Sequence, residues 1–179
     1  MLPPLLLAPP LANARIYIVR HAEKPEEGTG LTPAGVARAN AYPAYFRKDP
    51  VDGSTLHLTH LFAAADSKKS VRPRLTLEPL AKAIRQPLDL RFTDKNPTAF
   101  VADLHGHDYG KRILIAWRHG ETPALLSALG ADPLKYVPEG KWPDGVYDRV
   151  IEFRFDAQGN LDALHSRMVQ EHLMPGDAK

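Results

Sequence analysis

The 179-residue chain has no cysteine, which excludes disulfides, thiolate catalysis and Cys-ligated zinc together. Charge of one sign is also lacking. The 23 Lys and Arg stand against 21 Asp and Glu, giving a formal net charge of +2. The basic residues are scattered, so no nucleic-acid footprint is indicated and any basic site is local. Long apolar runs are absent too: the N-terminal stretch "MLPPLLLAPPLANA" is too short to span a bilayer. What remains is an ordinary globular composition, 44% hydrophobic and 25% charged, long enough for one domain with a sizeable core.

Residues 1–14 are set apart by four prolines. They read as a Pro-rich tail or as a truncated export signal, because Ala12-Asn13-Ala14 has the A-x-A pattern of a signal-peptidase site while a basic leading region is lacking. The pattern leans toward export; the domain proper is expected over residues 15–179.

Ile16 to Val19 is a continuous apolar, β-rich run, as expected for a strand covered on both faces. Thr32-Pro33 supplies an N-cap and a first-turn proline for a helix from Ala34 to Phe46, interrupted at Pro43. A second strand is expected at His60 to Ala64, a helix at Ser70 to Ile84 and a third strand at Leu88 to Phe92. Asn96-Pro97 opens another helix to about His105, "RILIAW" (residues 112–117) is a further strand, and Thr122-Pro123 repeats the helix-start signal. This alternation predicts an α/β fold, a three-layer α/β/α sandwich with a mostly parallel sheet. The tail departs from it. Apolar and polar residues alternate on both sides of Asp156-Ala157-Gln158-Gly159-Asn160, predicting an antiparallel C-terminal hairpin.

Two of the strands end on the same dipeptide, Arg20-His21 and Arg118-His119. Ligands of open α/β sheets bind beyond the carboxyl ends of strands. A lone His there is more often a hydrogen-bonded loop residue, but two, each beside an Arg and one leading into a helix start, describe a phosphate pocket with a nucleophile. Arg72, in the first turn of the next helix, offers a planar fork able to hold two phosphoryl oxygens. Arg74 beside it suits a solvated helix face.

The stretches "IYIVRHAEKP", "SVRPRLTLEPLA" and "LIAWRHGETPALLSALG" resemble, in order and spacing, the histidine phosphatase superfamily, also called phosphoglycerate mutase-like. "LTPAGVARA" is similar to the helix that follows the first motif in that family. "KWPDGVYDRVIEFRFDAQGNL" and "HLMPGD" resemble one uncharacterised bacterial branch of it. The resemblance implies a phosphoglycerate mutase-like fold and a metal-independent phosphatase without cofactor. It implies that His21 is the nucleophile that becomes a phosphohistidine, that Arg20 and Arg72 bind the phosphoryl oxygens, and that His119 completes the site. The implied partner is a small phosphorylated substrate or phosphate itself.

The family's usual Arg-His-Gly is Arg-His-Ala here, with Ala22, and the proton donor for the leaving group is not obvious. Glu121, two residues after His119, is the first candidate; it also suits a helix N-terminus through the dipole. Asp94 is the second. Glu23 and Lys24 flank the nucleophile and could shape the mouth. His57 with His60, and His105 with His107, have metal-compatible spacing but no accompanying carboxylate or Cys cluster, so surface loops are the expected setting. Trp117 and Trp142 suit either a substrate rim or the core. Alternatives to the phosphatase are a mutase, a phosphatase of protein phosphohistidine, whose nitrogen leaving group needs less acid, and a phospholigand-binding module, against which the retained His21 argues.

Overall fold

The computed structural model describes residues 7–178. Its elements are β1 (Arg15–Arg20), α1 (Pro33–Tyr45), β2 (His60–Ala63), α2 (Arg72–Ile84), β3 (Leu88–Asp89), α3 (Pro97–Gly106), β4 (Arg112–Trp117), a 3-10 turn (His119–Glu121), α4 (Thr122–Ala128), α5 (Pro133–Tyr136), β5 (Arg149–Arg154) and β6 (Arg167–Gln170). They form one six-stranded sheet in the order β3-β2-β4-β1-β5-β6. The first four of these are parallel, while β5 and β6 are added antiparallel.

The alternation of side chains divides the sheet into two buried faces. Ile16, Ile18, Ile113, Ile115, Trp117, Ile151 and Phe153 point to one face, packed by Phe100 and Leu104 of α3 and by Leu125 and Leu126 of α4. Tyr17, Val19, Leu61, Leu114 and Val150 point to the other, against Tyr42 of α1 and against Leu77 and Leu80 of α2. Helices thus cover both faces of the sheet, which is the predicted three-layer α/β/α arrangement. Among the described residues no helix is long and apolar enough to cross a membrane.

The helix starts follow the sequence signals with one exception. The Thr32 hydroxyl accepts from the Gly35 N–H at 3.1 Å and the Asn96 carbonyl from the Ala99 N–H at 3.2 Å, each with proline in the first turn. At α4 the expected Thr122 cap is absent. The Thr122 hydroxyl instead donates back to the Arg118 carbonyl at 3.1 Å, because a 3-10 turn precedes the helix. α5, opened by Asp132-Pro133, was not anticipated.

Two strands are shorter than predicted. β3 stops at Asp89, whose carboxylate accepts from the Arg91 backbone N–H at 3.1 Å and from its guanidinium at 2.8 Å, turning the chain out of the ladder. In the tail the 156–160 turn forms, with the Asp156 N–H on the Asn160 carbonyl at 2.8 Å. The returning strand starts only at Arg167, because a second turn at Asp162 binds the Ser166 N–H at 3.1 Å and the Ser166 hydroxyl at 2.7 Å.

The described part of the Pro-rich stretch is packed onto this frame. Leu11 is 1% exposed and sits in the core beside Ala14 and Ile16. The Asn13 N–H reaches the Asp156 carbonyl at 2.9 Å and Lys111 Nζ the Pro10 carbonyl at 2.8 Å. The first six residues of the stretch lie outside the described residues. Truncating Leu11 to Ala is expected to destabilise the domain by about 2–5 kcal/mol, the range for a large-to-small core change. A urea unfolding midpoint equal to that of the parent chain would show that this segment does not contribute to the core.

Candidate active site

The in-register parallel pairing of β1 with β4, from Arg15↔Arg112 to Arg20↔Trp117, brings the two strand ends out side by side. The His21 N–H then continues the ladder to the Trp117 carbonyl at 3.0 Å. Beyond the last pair the chains carry His21 on one side and Arg118-His119 on the other, at the carboxyl edge of the sheet.

His21 is 1% exposed. Its Nδ1 lies 2.8 Å from the Ala22 carbonyl oxygen, which can only accept, so Nδ1 carries the proton and Nε2 of the neutral ring carries the lone pair. Burial, helped by the nearby cations of Arg20 and Arg72, pushes its pKa down to about 3. The ring is therefore neutral at physiological pH, with the Nε2 lone pair free to accept a bond. Its Nε2 faces His119 Nδ1 at 3.1 Å, and His119 Nε2 faces the Asp144 carboxylate at 2.9 Å. Burial and the Arg20 guanidinium lower the His119 pKa to about 4, against the opposing pull of Asp144.

Arg20 is also 1% exposed. Its Nη1 donates to three carbonyls of one loop, those of Pro143, Asp144 and Val146, at 2.9, 3.0 and 2.9 Å. Its Nε and Nη2 are buried with no partner among the described residues, and the guanidinium lies 3.9 Å from the centre of the Tyr147 ring. Burial lowers its pKa to about 10, so it remains a cation at neutral pH. Two nitrogens of a buried cation with free N–H groups can receive an anion.

α2 docks beside His21 through Thr76, whose buried hydroxyl accepts from the Ala22 N–H at 2.8 Å and donates to the Arg72 carbonyl at 2.8 Å. Arg72 is close enough to lower the His21 pKa. Its Nε donates to the Gly30 carbonyl at 2.9 Å and its Nη2 to the Gly28 carbonyl, so Nη1 is the guanidinium nitrogen without a protein partner among the described residues. α1 is seated by Gly35, where a Cβ would stand 2.6 Å from the Glu23 carbonyl oxygen; only glycine permits that approach.

The two carboxylates considered from the sequence are paired elsewhere. Glu121 is bound to Lys95, and Asp94 to Arg118 at 2.9 Å. Neither hydrogen-bonds to His21 or His119. Glu23 grips the buried Arg38, which also holds Glu171 and Asp177. The Lys24 backbone N–H donates to the Tyr147 hydroxyl at 3.4 Å. Arg74 pairs with Asp66 and Glu78 on an open helix face. Trp117 and Trp142 are both core residues. His60 and His107 pair with Asp89 and Asp103, and among the described residues no group of three or more His, Cys, Asp or Glu side chains is arranged to hold a metal ion.

The loop of residues 143–147 was missed as part of the site. Its contributions are backbone carbonyls, the Asp144 side chain and the Tyr147 ring, all some 25 residues from His119 in sequence. The only signal was that its surrounding stretch resembled one branch of a family.

The sequence matches no family model and no curated protein. Solved structures do match. The chain is similar to a phosphoserine phosphatase from Entamoeba histolytica solved with 3-phosphoglyceric acid, with 14% identity, a TM-score of 0.60, and coverage of 90% of this chain and 100% of that one. It is similar to a phosphoglycerate mutase from Plasmodium falciparum, with 14% identity, a TM-score of 0.55, and coverage of 94% and 98%. A third match is to SixA from Agrobacterium tumefaciens, a candidate phosphohistidine phosphatase, with 15% identity, a TM-score of 0.55, and coverage of 88% and 96%.

The pKa of His21 is lowered from 6.5 to about 3 on folding. The unfolded chain therefore binds more protons as the pH falls below about 6.5, and the folded state loses stability in that direction. For His21 the loss is expected to reach about 2 kcal/mol by pH 5. Urea unfolding free energies measured from pH 7 to 5 should fall more steeply for the parent than for His21→Gln. Parallel slopes would mean that His21 is not held neutral by burial.

Proposed function

We propose that this chain, which has the histidine phosphatase fold, is a metal-independent phosphatase that hydrolyses a phosphomonoester through a phosphohistidine at His21. The observation that supports it most is the lone pair of a neutral, buried His21 Nε2 directly after an Arg20 whose two remaining nitrogens, Nε and Nη2, have no partner among the described residues. The neighbouring folds are phosphatases and mutases, which is consistent with phosphoryl-transfer chemistry.

In the proposed reaction the phosphoryl group enters between His21 and His119, replacing their 3.1 Å hydrogen bond. Nε2 attacks phosphorus, the N–P bond forms as the P–O bond to the leaving group breaks, and Nδ1–H remains on the Ala22 carbonyl while the ring becomes cationic. Arg20, Arg72 and His119 neutralise the phosphoryl oxygens, so positioning and charge cancellation lower the barrier. Water then cleaves the N–P bond and frees phosphate. Glu121, at the rim on Lys95, is the proposed proton donor to an alkoxide leaving group.

The pairing of both candidate carboxylates with cations favours a second reading, removal of phosphate from phosphohistidine. There the leaving group is a nitrogen whose own basicity lets it depart with less help.

Purified protein is expected to hydrolyse p-nitrophenyl phosphate in EDTA, and His21→Ala to abolish turnover with the fold retained. Activity lost in chelator, or retained by the variant, overturns the reading. Glu121→Gln should slow an alkyl phosphate about 100-fold or more while leaving p-nitrophenyl phosphate nearly unaffected, since only the poor leaving group needs the proton. Equal effects on both substrates remove Glu121 from the chemistry. In that case, faster turnover of a phosphohistidine peptide than of either ester favours the second reading.

A further inference from the structure

The hydrogen bonds that join His21, His119 and Asp144 are one proton short when both rings are neutral. His21 Nδ1–H is committed to the Ala22 carbonyl, so His21 Nε2 can only accept. His119 Nδ1, 3.1 Å away, must donate to it, and His119 Nε2, 2.9 Å from Asp144 Oδ1, must donate as well. A neutral imidazole has one N–H. Burial and Arg20 favour that neutral form of His119. A phosphoryl group between the rings changes the balance: it is an acceptor, so Nδ1 must still donate, and its negative charge offsets the Arg20 cation that disfavours the second proton.

From this geometry we infer that Asp144 is a positioning residue of the phosphoryl-transfer site, which retains a proton on His119 Nε2 so that His119 meets the bound phosphoryl group as an imidazolium. The inference rests on the phosphatase reading for its kinetic consequence but not for its protonation consequence. Asp144 suits the role by its double attachment: the backbone carbonyl accepts from Arg20 Nη1 at 3.0 Å while the carboxylate holds His119. A change confined to the side chain therefore leaves the loop tethered. The carboxylate is 76% exposed, so its replacement does not disturb the core.

The other charged and titratable groups around His119 are Arg20, His21 and Lys24 from the β1 end, Arg72 of α2 beyond His21, Tyr147 of the same loop as Asp144, and Arg118 and Glu121 from its own turn. The cations all oppose the second proton. Asp144 is the acid that touches the ring.

The sign of the effect follows. The protonated form of His119 is the active one, so activity is lost as pH rises through its pKa in the complex. Removing the Asp144 charge lowers that pKa and moves the alkaline limb of kcat to lower pH. In Asp144→Asn, kcat for p-nitrophenyl phosphate at neutral pH is expected to fall about tenfold with KM little changed, and the limb to move down by about one unit. Asp144→Glu should restore most of both. A loss of rate without movement of the limb would make Asp144 structural only, and parent-like rate and limb would remove it from the site.

A second measurement does not need turnover. The His119 ring titration, followed by NMR with and without inorganic phosphate, should show a phosphate-induced upward shift in the parent that is about one unit smaller in Asp144→Asn. An equal shift in both proteins overturns the inference. A parent that shows the shift but no hydrolysis of any phosphate ester would instead overturn the phosphatase reading and leave the Asp144 assignment standing.

Discussion

The hydrogen-bond ladder between β1 and β4 sets the geometry on which the rest of the site depends. Six residue pairs lie in parallel register, and the side chains of all but the first pair, Arg15 and Arg112, are buried, on both faces of the sheet. A slip of one residue would exchange the two faces, placing Tyr17 and Val19 where Ile16 and Ile18 belong, so the register is strongly specified. Each strand carries its Arg-His beyond the same end of that ladder. The separation of the two imidazoles is therefore determined by backbone pairing in the core and not by the longer loops that follow.

Arg20 is the second determinant. Burying a guanidinium is costly unless its hydrogen bonds are made. Three carbonyls of one loop satisfy Nη1, while Nε and Nη2 remain open. The arrangement fixes the loop against β1 and leaves a directed deficit that an anion would fill. The same cation adds to the burial that lowers the pKa of both His21 and His119, so the group that would attract an anion also helps to keep the His21 ring neutral. Thr76, between the Ala22 N–H and the Arg72 carbonyl, couples that edge to α2.

Much of this was legible because it is written locally. The continuous apolar runs gave β1 and β4, Thr32-Pro33 and Asn96-Pro97 gave helix starts, and the repeated Arg-His at strand ends gave the position of the site. What escaped depends on contacts distant in sequence or on competing local bonds. Thr122 read as a cap, but its hydroxyl found the Arg118 carbonyl. β3 was shortened by the carboxylate of Asp89, which captured the Arg91 N–H, and β6 by the turn at Asp162, whose backbone carbonyl accepts from the Ser166 N–H and hydroxyl. Asp144 and Tyr147 carry no local pattern, since their relation to His21 and His119 exists only once β5 has folded back onto β1. Leu11 lies in a stretch whose prolines read as a tail, yet its side chain is buried in the α/β core.

The acid side of the chemistry is governed by the distribution of cations around the two histidines. Lys95 holds Glu121 and Arg118 holds Asp94. Each carboxylate must leave its cation before it can carry a proton to a departing alkoxide, and leaving exposes a positive charge at the rim of a site that already contains Arg20 and Arg72. That exposed charge would itself favour an anionic substrate. In the proposed reaction, substrate entry and release of the acid would thereby be linked: a phosphoryl group that drew Arg118 or Lys95 toward itself would free a carboxylate, whereas a leaving group that departs without a proton would have no use for the exchange. Under that proposal the preference between ester and phosphoramidate substrates would follow from how strongly these two ion pairs hold.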